Sequence, residues 1–126
     1  MLQSIFATFE AAGTITEYAA VKLNSDNKIV VCTTAVEPSI IGIAQSAGTS
    51  GDMINVCVFG RTRMVAGAAI TPATANQLMA DASGQMKAAT STHFVVGSAL
   101  PSTADLAYAS GEQFEGLFTP PRIVKA

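Results

Sequence analysis

General acid–base chemistry near neutral pH draws most often on histidine, and this chain of 126 residues has one, His93, at the start of an apolar run. It has no second imidazole to share a metal. The two cysteines, Cys32 and Cys57, each lie inside an apolar stretch. A zinc site would therefore need both thiols, His93 and a carboxylate to converge without any ligand pair spaced two to four residues apart. Buried thiols are poorly activated, so Cys–His nucleophilic catalysis is not expected either. The main reading is two buried free thiols, with one disulfide as the alternative. The nine carboxylates are scattered, and Asp26, Asp52 and Asp81 fall among turn formers, where a carboxylate accepts from backbone amides two residues on.

Two local sequences call for a sharper test. Ser46-Ala-Gly-Thr-Ser-Gly-Asp52 is glycine-rich but precedes a strand pattern rather than a helix, so it lacks the helix N-terminus that would hold a phosphate. Met86-Lys87 is similar to the Met-Lys pair in the hairpin of biotinyl carrier domains, but here the turn tip is Ala82-Ser-Gly84 and Ala88 follows the lysine. Lys87 therefore reads as a solvent-facing strand lysine. The seven basic residues form no patch, the net charge is -2 and no tryptophan is present, so neither a phosphate backbone nor stacked bases find a partner. The expectation is no enzyme activity, no cofactor, no metal, no nucleic acid and no membrane partner. With 49% hydrophobic and only 13% charged residues, the chain suits packing against other protein, since interface cores are depleted in charge.

The elements that would position any site are strands. Apolar runs are short, recur between turn residues, and nowhere approach the ~20 residues needed to span a bilayer. Alternation predicts strands over 15–22, 28–34, 40–44, 53–59, 61–66, 77–80, 85–88, 93–99, 106–109 and 114–118. Gly60 separates the fourth from the fifth, and Asp81-Ala-Ser-Gly84 makes a hairpin of 77–88. The start lacks a basic segment and is not read as a secretory signal. Leu2, Ile5, Phe6 and Phe9 stand three and four apart, so residues 1–14 read as an arm with a helical turn or two. Residues 119–126, with Pro120-Pro121, read as an extended tail. The fold class expected is all-β: a small single-domain β-barrel or β-sandwich over 15–118, flanked by that arm and tail, with no second domain.

As a run, Ile41-Gly-Ile-Ala44, Ala47-Gly-Thr-Ser-Gly-Asp52, Val56-Cys-Val58, Gly60, Ala68-Ala-Ile-Thr71, Leu78-Met-Ala-Asp-Ala-Ser-Gly84, Val95-Val-Gly-Ser-Ala-Leu100, Ser110-Gly-Glu112 and Leu117-Phe-Thr-Pro120 resemble the capsid decoration, or cement, proteins of tailed bacteriophages. The resemblance implies a compact β-barrel or sandwich without a catalytic centre. It would be made in the host cytoplasm and sit, commonly as a homotrimer, on the outer face of an expanded icosahedral head. Its partner there would be the major capsid protein, at junctions between subunits. Capsid contact is expected from Leu2, Ile5, Phe6 and Phe9 of the arm, ordering on the shell, and from Pro120, Pro121, Arg122 and Ile123 of the tail. Phe59 and Val65 are apolar candidates either for contacts between copies or for the core of a single copy. The alternatives are another virion structural protein, such as a head-fibre base or minor tail component, and a carrier or ligand-binding β-barrel.

Overall fold

The longest alternating stretch of the sequence becomes the axis of the molecule. In the computed structural model, which describes residues 4–32, 40–73, 77–89, 94–100 and 107–124, Met53–Val65 is one strand. Gly60 does not end it. A φ of +115° there, open to a residue without a Cβ, turns the strand so that its two halves serve different neighbours. In chain order the strands are β1 (Ile5–Glu10), β2 (Ala20–Leu23), β3 (Ile29–Val31), β4 (Ile40–Ala44), β5 (Met53–Val65), β6 (Gln77–Ala80), β7 (Met86–Ala88), β8 (Phe94–Ala99) and β9 (Gln113–Val124). All pair antiparallel in one sheet, in the order β3-β2-β4-β5-β9-β8-β6-β7, with β1 added to β5. The expected all-β, single-domain fold stands.

Three expectations need correction. Residues 5–10 are not a helical arm: β1 lies along the first half of β5, with Phe6 opposite Cys57 and Glu10 opposite Met53. The spacing of Leu2, Ile5, Phe6 and Phe9 mimics a helix because a register irregularity between Ile5 and Phe6 exposes both neighbours, while Phe9 faces inward. The strand expected over 15–22 begins only at Ala20, because Tyr18 adopts a left-handed φ of 62° and breaks the extended run. Residue 118 is no boundary, since β9 continues to Val124 and pairs Ile123 with Val95.

The sheet contains the same unit twice, and the two units share β5. β1, β2, β3, β4 and the first half of β5 form one lobe; the second half of β5, β6, β7, β8 and β9 form the other. Each pairing in the first has its counterpart in the second: β2 with β3 and β6 with β7, β2 with β4 and β6 with β8, β4 with β5 and β8 with β9, β1 with β5 and β5 with β9. Each lobe curls until the residue after its first strand meets its third strand, in parallel bridges of Ala11 with Ile29 and Ala66 with Met86. There the amides of Ala12 and Gly67 donate to Ile29 O and Met86 O at 2.9 and 2.7 Å. Further on, Ile15 pairs with Gly48 as Ile70 pairs with Tyr108. The hairpin turns match as well. Asn24 Oδ1 accepts from the amides of Asp26 and Lys28, and Asp81 Oδ1 from those of Ser83 and Gln85. Asn24, rather than Asp26, thus holds the first turn.

Close backbone approach fixes one more equivalence. A Cβ on Gly42 would lie 2.3 Å from Cys57 O, and one on Gly97 would lie 2.1 Å from Leu117 O. The core follows the lobes only in part. A smaller cluster of Ala11, Ile15, Val21, Ile29, Ala44, Ile54 and Val56 belongs to the first lobe. The larger cluster centres on Met64, Ile70, Leu78, Met86, Phe114 and Phe118 and also takes in Ala20, Cys32, Ile40 and Ile43, so it binds the lobes into one body. Tyr108 stacks on Phe114 with ring centroids 5.0 Å apart, and its hydroxyl donates to Leu100 O at 2.8 Å, so the phenol is buried without an orphaned oxygen.

Candidate functional site

Among the described residues the reactive types do not gather. Among the described residues no group of three or more His, Cys, Asp or Glu side chains could hold a metal ion. His93 lies outside them. Cys32 and Cys57 are buried and not joined in a disulfide, and burial pushes the Cys57 thiol above its ordinary value, which leaves it protonated and unreactive at neutral pH. Asp81 accepts from the amide of Ser83, two residues on, as expected, whereas Asp52 accepts from the amide of Thr49, three residues before it. Lys87 lies within β7 opposite Met79, away from the turn tip.

What stands out is an apolar face. Ile5, Phe6, Met53 and Phe59 keep 56%, 47%, 63% and 38% of their surface exposed. Three of them form a compact group: Ile5 is the cross-strand partner of Phe59, which places their side chains about 5 Å apart at Cβ, and Phe6 follows directly. Met53 extends the same outer face of β5 at its far end, about 20 Å from Phe59 at the rise of an extended strand. Thr8, Asn55 and Glu10 interleave with them, and Lys28 caps the end through its ion pair with Glu10 at 3.0 Å. The backbone beneath is anchored on both sides, by Ser4 Oγ donating to Arg61 O and by Gln45 Nε2 donating to Ile43 O and Thr62 Oγ1. A firm, half-apolar strand face of this kind can dock protein.

Of the expected contact residues, Ile5 and Phe6 come together on this face. Phe9 does not join them, because it packs half-buried against the smaller core cluster. Leu2 lies outside the described residues. Pro120, Pro121, Arg122 and Ile123 belong to the backbone of β9 rather than to a free tail. Of the outward candidates, Phe59 joins the face and Val65 is half-buried on β5. Met53 was missed as a contact residue, although its place beside Asn55 and Phe59 on one side of an alternating strand carried the signal.

No family model matches the chain, and no curated protein matches it in sequence. Among solved structures, the crystal structure of the head fibre gp8.5 N base in bacteriophage phi29 aligns with a TM-score of 0.69 and 15% sequence identity, over 96% of this chain and 98% of that one. The two share a fold. The likeness to the head-fibre base extends over 96% of this chain, more than the residues 41–120 that carry the cement-protein resemblance.

Proposed function

We propose that this protein is a structural component of a bacteriophage virion, attached to the outside of the head in the manner of a head-fibre base. The observation that carries the reading is the end-to-end likeness in fold to the phi29 head-fibre base, with nearly complete coverage of both chains. The charge-poor composition and the scattered reactive groups suit a role made of contacts rather than of chemistry. The attachment face is the outer side of β1 and β5, with Ile5, Phe6 and Phe59 at its centre and Met53 at its end, and the partner is the major capsid protein. Localisation follows: synthesis in the host cytoplasm, then residence on the outer face of the head, as a homotrimer.

A cement role is a second reading, favoured by the motif pattern of residues 41–120. It differs in energetics rather than in location. A cement protein must bind the expanded shell better than its precursor, and each occupied site then stabilises that shell by RT ln(1 + [L]/Kd), ~4 kcal/mol when free protein stands at 1,000 times Kd. A fibre base need only hold on.

The experiment adds purified protein to expanded heads that lack it. Extra density on the outer face, lost or reduced at least tenfold for Phe6→Asp, is the expected result; absence of binding to any head surface overturns the reading. If decorated heads also resist heat better than bare ones, the cement role holds as well.

A further inference from the structure

The apolar part of the attachment face is too small to be a whole interface. Ile5, Phe6, Met53 and Phe59 leave about half of their surface open, on the order of 400 Å² together for side chains of about 200 Å² each. A specific contact covers roughly 800 Å² on each partner, so the footprint extends onto polar neighbours. Along β5 the alternation runs on through Gly60: Phe59, Arg61 and Arg63 are exposed, while Gly60, Thr62 and Met64 are buried. Both arginines therefore continue the side that Phe59 opens, with Arg63 about 13 Å along the strand from it. Charge differs between the two ends of the face. At the Met53 end Glu10 and Lys28 neutralise each other at 3.0 Å. At the other end Arg63 stands directly opposite Glu115, but that carboxylate accepts instead from Nε and Nη2 of Arg61, diagonally across β5 and β9. One carboxylate thus faces two guanidinium groups, and among the described residues the Arg63 guanidinium has no hydrogen bond or ion pair. The distant Glu10 lies ~30 Å away along β5, beyond the screening length of ~8 Å at physiological salt, and cannot offset it.

We infer that the protein surface covering this face is acidic: it presents a carboxylate to Arg63, beside an apolar patch that covers Ile5, Phe6 and Phe59. The inference rests on the attachment reading and adds the chemistry of the partner. A guanidinium takes a carboxylate through two parallel hydrogen bonds, and arginine is enriched where proteins meet. A polyanion is a poorer match, since one unpaired cation on this face of a chain with net charge -2 gives a phosphate backbone nothing to follow. Arg63 lies at the rim of the apolar group, so its pairing acts on the association rate and on salt dependence more than on the apolar grip.

The test measures binding of the purified chain to expanded heads that lack it, at two salt concentrations. Unsubstituted protein should bind about tenfold more weakly at ~0.5 M salt than at ~0.05 M, because screening then acts within ~4 Å. Arg63→Glu should lose about tenfold at the lower salt, and most of the salt dependence, while its melting temperature holds. Glu115→Gln releases Arg61 as a second cation and should gain about threefold. A merely structural role would not move the two variants in opposite directions. Equal binding by all three proteins, or binding independent of salt, overturns the inference; the attachment reading survives that result if Phe6→Asp still loses binding. A loss of ~10³-fold or more across the salt range, as for a contact with many phosphates, overturns it in favour of a polyanion. No binding by the unsubstituted protein removes the attachment reading and this inference together.

Discussion

The two lobes solve one architectural problem with the same backbone and opposite outer faces. In the second lobe the face formed by β5 and β9 carries Arg61 opposite Leu117, Arg63 opposite Glu115 and Val65 opposite Gln113. The matching positions in the first lobe carry Phe6 opposite Cys57, Thr8 opposite Asn55 and Glu10 opposite Met53. The fold therefore tolerates charge at this face, since one lobe places two arginines there. Exposed Ile5, Phe6 and Phe59 are thus not a requirement of folding. Clustered apolar surface that the architecture does not need is what the proposed attachment face would present.

The largest effects should come from the core and should be alike in both lobes. Ile29 and Met86 occupy equivalent places, each fully buried at the bridge that closes its curl. Truncation of either to alanine should cost about 2–5 kcal/mol, and Phe118→Ala, in the cluster that takes residues from both lobes, about 3–5 kcal/mol. Denaturant unfolding followed by circular dichroism measures this. Because the larger cluster includes Ala20, Cys32, Ile40 and Ile43 of the first lobe, all three variants should unfold in a single transition. Two transitions would mean that the lobes are separate folding units and that the likeness between them outweighs their union.

A graft sharpens the comparison at the surface. Phe6→Arg with Met53→Gln writes the second lobe's residues, Arg61 and Gln113, onto the first. If the apolar face serves docking, the variant should keep its stability within about 0.5 kcal/mol, as surface changes usually do, while binding to heads falls ~10–100-fold, or about 1.4–2.8 kcal/mol. A loss of several kcal/mol in stability with binding intact would assign the face to folding instead.

Much of this architecture was legible, and the parts that were not have physical reasons. The strand at 40–44, the alternating faces of 53–59 and 61–66, and the hairpin of 77–88 were read correctly, because one face of each is buried and the turn has an Asp that caps its own amides. β1 was not, because Ile5 and Phe6 point outward while Phe9 points inward, and apolar residues on both sides of a strand imitate helical spacing. Gly60 reads as a terminator by type, and only its φ shows that it bends a continuous strand. The repeat left few identities behind: Ala and Ile-Thr at 11 and 15–16 and again at 66 and 70–71, Ser-Gly-acid at 50–52 and 110–112, Gly-x-Ala at 42–44 and 97–99. It persists in hydrogen-bond geometry, where asparagine and glycine serve the same left-handed turn position. Of the exposed apolar face, Ile5, Phe6 and Phe59 were legible; alternation put Met53 on the side of Asn55 and Phe59, and the structure shows that this side faces water.

The smallest effects belong to two ion pairs among the described residues, one on each lobe. Arg61 Nε donates to Glu115 at 2.9 Å across β5 and β9, and Lys28 meets Glu10 at 3.0 Å where β1 approaches the first hairpin turn. All four side chains are between 41% and 58% exposed, so water screens them and holding two long side chains in place offsets much of the attraction. Glu115→Gln and Glu10→Gln should each cost about 0.5 kcal/mol in low salt, measured by denaturant midpoint, and the cost should fade toward zero in 1 M salt, where screening acts within ~3 Å. The backbone bridge of Ala11 to Ile29 closes the first curl whether or not Lys28 finds Glu10. A cost above about 2 kcal/mol that persists in high salt would therefore mean that the ion pair, not the bridge, closes that lobe, and the structural equivalence of the lobes would fail at that point.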